Sequence, residues 1–177
     1  MGKRIIGMCL ALMLVGLGAG PAVASAAPAT HGGGFGVKGR TDVTLDPGAA
    51  AALTSLGVRA YPVLASARTG SGKTVFGFAI VGNPADGTIE HTGGLVLAKG
   101  RTWVALTRFT IDLDRGVLSG RVNFGQRADL FTIGAATPDG VTLALTGAAA
   151  GVLNSTFGVS AFAEGLVFGY GNPRIRR

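Results

Sequence analysis

His91 is the residue whose type and setting bear most directly on chemistry. It lies in Gly87-Thr88-Ile89-Glu90-His91-Thr92-Gly93-Gly94-Leu95. Strand alternation puts Ile89 and His91 on one face, and the Gly93-Gly94 pair lets another group come close to the backbone. Imidazole can ligate haem iron or another metal, or hold such a ligand by a hydrogen bond. The plainer alternative is a partly buried His that satisfies a backbone carbonyl. One Cys and two His exclude a zinc finger, an iron–sulfur site, a disulfide scaffold and a His-rich metal centre.

Other strings carry less. Arg68-Thr69-Gly70-Ser71-Gly72-Lys73-Thr74 ends like a phosphate-binding loop, but Ala67 stands where its first Gly belongs. Such a loop must open a helix, whose N-terminus cradles the phosphates. Val75 to Ile80 reads as a strand instead, so the string is a β-connection. Asp112-x-Asp114 with Gly116 lacks the third carboxylate and closing Glu of a calcium loop. It reads as a soluble strand face and a turn. A glycosidase needs two carboxylates across a cleft. Glu90, Asp112, Asp129 and Glu164 are candidates, and no spacing singles out a pair. There is no G-x-S-x-G nucleophile turn. The expectation is a protein that is not an enzyme, and an enzyme acting on wall glycan is the weakest reading.

The elements that must position these residues are mostly strands. Val37–Leu45, Val75–Val81, Thr88–Ala98, Trp103–Asp114, Val117–Phe124, Leu130–Ile133, Val141–Leu145 and Val159–Tyr170 each read as β. Phe109, Ile111 and Leu113 share one face of their strand. Asp114-Arg115-Gly116 and Thr137-Pro138-Asp139-Gly140 are turns. Pro47–Leu56 and Ala148–Phe157 are Ala-rich and each is followed by Gly, the pattern of a short helix. The two strand–helix–strand units resemble each other, through internal duplication or shared composition. The expected fold class is mostly β, an antiparallel β-sandwich or open barrel with two short helices.

The chain has 177 residues, of which 47% are hydrophobic and 14% charged. That balance suits one packed domain and excludes intrinsic disorder. Lys3 and Arg4, the apolar run Ile5–Leu17 and the small-x-small sites up to Ala26 form a secretory signal. The expected organisation is a signal peptide at 1–26, a flexible lead-in at 27–34, a single β-rich domain at 35–170 and a basic C-terminal tail at 171–177. No later segment is long and apolar enough to span a bilayer as a helix, so no transmembrane span is expected after cleavage. The expected location is secreted, extracellular or at the cell wall. Removing Lys3 and Arg4 leaves 14 basic and 9 acidic residues, a charge of +5. That charge can attract anionic cell-wall polymers or lipid head groups as partners. Nucleic acid is a poor partner for an exported chain.

A family resemblance rests on several short motifs. Phe78-Ala79-Ile80-Val81-Gly82 followed by Gly87-Thr88-Ile89-x-His91-x-Gly93-Gly94-Leu95 resembles the HtaA-type domain of bacterial haem-uptake proteins. Phe35-Gly36-Val37-Lys38 is similar to that family's opening motif, with Phe35 in place of Trp. Leu145-Thr146 and Phe162-Ala163-Glu164-Gly165 are similar to its closing segment. The resemblance implies a secreted or surface-held β-rich domain that binds haem as its cofactor. It places His91 at the family's His, which supports a Tyr that ligates iron. Gly39–Leu45 holds no Tyr, so Tyr61 and Tyr170 are the phenols left for that role. The expectation is therefore a binding or structural domain of the cell envelope, distantly HtaA-like. A haem carrier using His91, with Tyr61 or Tyr170, is the alternative.

Overall fold

A computed structural model describes residues 38–82 and 87–176. The proposed signal, the lead-in and the opening Phe35–Val37 motif lie outside the described residues. Eleven strands and two helices follow in order. The strands are β1 Gly39–Leu45, β2 Arg59–Val63, β3 Ser66–Gly70, β4 Lys73–Val81, β5 Thr88–His91 and β6 Gly94–Lys99. They continue as β7 Thr102–Asp112, β8 Val117–Val122, β9 Arg127–Thr137, β10 Gly140–Leu145 and β11 Val167–Ile175. Helix α1 is Pro47–Ser55 and α2 is Gly147–Phe157.

Eight strands close into a barrel. β1, β4, β5, β7, β8, β9, β10 and β11 each pair with the next, and β11 pairs back onto β1. Every pairing is antiparallel, so the ring is a meander in chain order. Two excursions leave it. β6 pairs with the first half of β7 and carries β2 on its far edge, while β3 pairs with the first half of β4. Closure removes the unpaired edges that a sandwich or open barrel would keep, because each ring strand finds a partner on both sides.

Period-2 alternation puts Val43 and Leu45, Phe76, Phe78 and Ile80, and Leu95 and Leu97 inside. Polar residues between them face out. Asp42 is one of these, and Arg40 and Arg68 grip it at 2.7 and 3.0 Å. Burial alone would raise its pKa, but the Arg68 and Arg40 hydrogen bonds win, and the carboxyl lies below its ordinary value.

β1 and β10 both pair antiparallel with β11, so they run parallel and deliver both helices to the same end of the barrel. Each helix starts at a side-chain cap. Asp46 accepts from the Gly48 and Ala49 amides, and Thr146 accepts from Ala149 N. Each is followed by a left-handed Gly, Gly57 or Gly158. Ala49 and Leu53, like Ala149 and Leu153, are buried at matching places after the cap. α2 packs against β7, β9 and β10, and its Ala149 and Leu153 line a small gap together with Leu97, Leu106, Leu145 and Phe168, so α2 stoppers that end.

The structure corrects several sequence expectations. The sandwich or open barrel is a closed barrel. Thr88–Ala98 is two strands, because β5 leaves β7 after the Glu90–Thr110 pair and turns toward β4. Val159–Tyr170 is strand only from Val167. The strand then runs on to Ile175, so the basic tail expected at 171–177 is largely β11, paired with β1 from Gly39 to Leu45. Backbone pairing needs no apolar side chains, and Gly171, Asn172 and Pro173 hide it. β2 and β3 escape a sequence reading for the same reason: β3 is wholly exposed and shows no apolar alternation.

Candidate functional site

The inner faces of the ring line a partly open cavity of about 120 Å³. Val43, Phe78, Leu95, Leu118, Ile133 and Phe168 are among its walls, and among the described residues only Thr41 and His91 line it with polar side chains. Part of the space exists because β11 lines it with Gly171. A Cβ added there would lie 3.5 Å from Leu143 Cδ1 and 3.6 Å from Val141 Cγ2, ordinary contact distances. An apolar cavity of this size is comparable to ones that stay dry and take up small aromatic molecules.

His91 and Thr41 form a buried pair inside it, 5% and 2% exposed. Thr41 is on the inner face of β1, opposite Phe78 of β4. His91 is opposite Ile80 two places further along β4. Thr41 Oγ1 lies 2.6 Å from His91 Nε2. On the other side of the ring, Nδ1 lies 3.2 Å from the Phe109 carbonyl. A carbonyl can only accept, so Nδ1 carries the proton and Nε2 accepts from the Thr41 hydroxyl. Burial pushes the imidazole pKa down to about 4, against a small upward pull from the Phe109 carbonyl. At neutral pH the pair is uncharged and both ring nitrogens are engaged.

The local backbone explains why His91 sits there. β5 ends at His91, and Thr92 N turns to donate to Ala79 O. With the β5–β7 ladder finished, the imidazole reaches the Phe109 carbonyl. Gly93, at φ +76°, lets the chain turn. A Cβ on it would fall on the carbonyl oxygens of Val63 and Leu64. The close approach that Gly93-Gly94 permits is therefore made by the chain's own backbone, by the β2–β3 corner at Gly93 and by Leu106 and Thr107 of β7 at Gly94.

The other sequence candidates do not converge on this site. Tyr61 is on β2 opposite Val96, half-exposed on the outer face. Tyr170 is on β11 opposite Thr44 and Thr142, and its hydroxyl donates to Asp46 Oδ2 at 3.1 Å. Neither lines the cavity. Asp46 also raises the Tyr170 pKa. With Thr41 occupying Nε2 and both phenols outside the cavity, these residues do not fit haem ligation.

Arg68–Thr74 is the β3–β4 hairpin, with Ser71 and Gly72 both at positive φ, and no helix follows it. Asp112 accepts from Arg115 N in the β7–β8 turn, while Asp129 pairs with Arg115 at 2.6 Å. Asp112 and Asp129 thus share Arg115, Glu90 lies near Gly82 and Glu164 near Gly147, and none of the four lines the cavity.

Thr41 is the site residue that a sequence reading misses. Its position two before Val43 puts it on the inner face, so the alternation holds the signal. Its meeting with His91 depends on cross-strand register, which the alternation does not carry.

The arrangement can hold an apolar body. Its wall presents no polar surface to the space, because Thr41 Oγ1 and His91 Nε2 are engaged with each other. Among the described residues, no group of three His, Cys, Asp or Glu side chains could hold a metal ion. Comparison with protein-family models, curated proteins and solved structures finds no match to this chain.

Proposed function

We propose that this protein is a non-enzymatic binding domain, exported to the cell envelope or beyond, whose barrel holds one small, apolar ligand. The observation that carries this reading is the cavity of about 120 Å³ with a single neutral polar pair in its wall. Eight strands give a barrel just wide enough to fill with side chains or to hold one small ligand. The pattern of residues 1–26 supports export. The ligand class is a compact, wholly apolar aromatic or branched aliphatic molecule, such as toluene. Its body would replace empty space, where each contact adds dispersion attraction.

The test is titration of the protein with phenol and with toluene, read by the methyl NMR signals of Leu95, Leu118, Ile133 and Val141. Both compounds should shift these signals saturably, toluene at lower concentration, because the wall offers no partner to the phenol hydroxyl. Gly171→Leu should fill the space and abolish the shifts while the chain stays folded. If neither compound moves these methyls, or if Gly171→Leu leaves binding intact, the reading fails.

A further inference from the structure

The excursion strands build a second feature outside the barrel. β2, β6 and the first half of β7 form a three-stranded sheet whose ladder puts Arg59, Ala98 and Trp103 in one row. Tyr61, Val96 and Ala105 form the next row, in which Tyr61 is exposed and Ala105 is fully buried. Trp103 is 51% exposed and Tyr61 48%. At the margins stand Leu64, 85% exposed at the β2–β3 corner, and Phe124 in the turn after β8, also exposed. Among the described residues, four of the six exposed large apolar side chains thus belong to this one region.

Charge separates this region from the rest of the surface. Residues 59–63, 94–109 and 120–127 contain Arg59, Lys99, Arg101, Arg108, Arg121 and Arg127, and no Asp or Glu. All four salt bridges between described residues lie elsewhere, so none of these six cations is neutralised by a carboxylate contact among them. Exposed Trp and Tyr beside protruding apolar side chains, with Arg and Lys around them, suit the boundary of an anionic bilayer: the rings and Leu64 enter the headgroup layer and the cations meet the phosphates. A sugar polymer is a poorer match. A neutral sugar carries no charge to meet the six cations, and Val96, Ala98 and Leu64 offer its hydroxyls no partner between the aromatics.

We propose that the outer face of β2, β6 and β7 is a docking surface for an anionic lipid bilayer, with Tyr61, Leu64 and Trp103 at the depth of the headgroups. The face is independent of the barrel cavity, so either assignment can fail alone.

Trp103 is the one Trp in the chain, so its fluorescence reports on this face and on no other segment. The full chain is titrated with phosphatidylglycerol vesicles and with phosphatidylcholine vesicles. The phosphatidylglycerol vesicles should shift Trp103 emission to the blue and shield it from iodide, and raised salt should weaken the effect. The phosphatidylcholine vesicles should leave it unchanged. Arg59→Gln with Arg101→Gln, both exposed positions, should weaken binding about 30-fold at low salt and leave the thermal midpoint unchanged. The proposal is overturned if vesicles capture the chain with Trp103 emission unmoved, since another segment is then responsible. It is equally overturned if both lipids act alike, or if an anionic polysaccharide shifts Trp103 and vesicles do not.

Discussion

At the scale of single residues, the His91–Thr41 pair is a neutral polar unit held in an apolar space, and its cost shows in acid. The folded pKa of about 4 lies below the ordinary imidazole value of 6.5. Between these values the unfolded chain binds the proton that the folded chain refuses. Stability is therefore full above pH 6.5 and falls as pH drops toward 4. From pH 7 to pH 5 the loss from this group is about 2 kcal/mol. Urea unfolding at the two pH values should show that difference, and His91→Gln should remove most of it. Thr41→Val keeps the shape but leaves Nε2 without its donor. The expected cost is about 1–3 kcal/mol. Nitrogen NMR of the wild-type imidazole should show the proton on Nδ1, and a proton on Nε2 would contradict the assigned pair.

At the scale of elements, the β5–β6 corner decides where His91 points, and the corner depends on Gly93. Two left-handed glycines make a controlled comparison. Gly100, at φ +59°, has open space where a Cβ would project, so Gly100→Ala should cost only the backbone strain, about 1 kcal/mol. Gly93→Ala adds a collision with the Val63 and Leu64 carbonyls and should cost clearly more. It should also disturb the His91 NMR signals, which Gly100→Ala should leave in place. Equal costs for the two would mean that the β2–β3 corner does not press on Gly93. The helices act at this scale too, since their caps Asp46 and Thr146 fix where β1 and β10 end and let α2 close the barrel.

At the scale of the whole molecule, the cavity trades stability for room. Gly171 has no positive φ that a side chain would strain, and a methyl there would touch Leu143 and Val141 at ordinary distances. Gly171→Ala should therefore stabilise the protein by about 0.5–1 kcal/mol, through added contact and a less flexible unfolded chain. The same change should weaken toluene binding. Thermal unfolding with and without toluene measures both effects. A destabilised Gly171→Ala would show that the wall has no slack at that point.

Local periodicity and backbone preference make the β-rich class legible in the residues alone, together with both helices, their closing glycines, and the shared inner face of Ile89 and His91. They also show that Arg68–Thr74 leads into a strand. Closure of the barrel, the run of β11 to Ile175, the β2 and β3 excursion, and the meeting of Thr41 with His91 emerge only in three dimensions. These depend on which strands pair and in what register. Short, glycine-rich strands leave register weakly written in the side chains, so residues 50 positions apart find each other only when the ring closes.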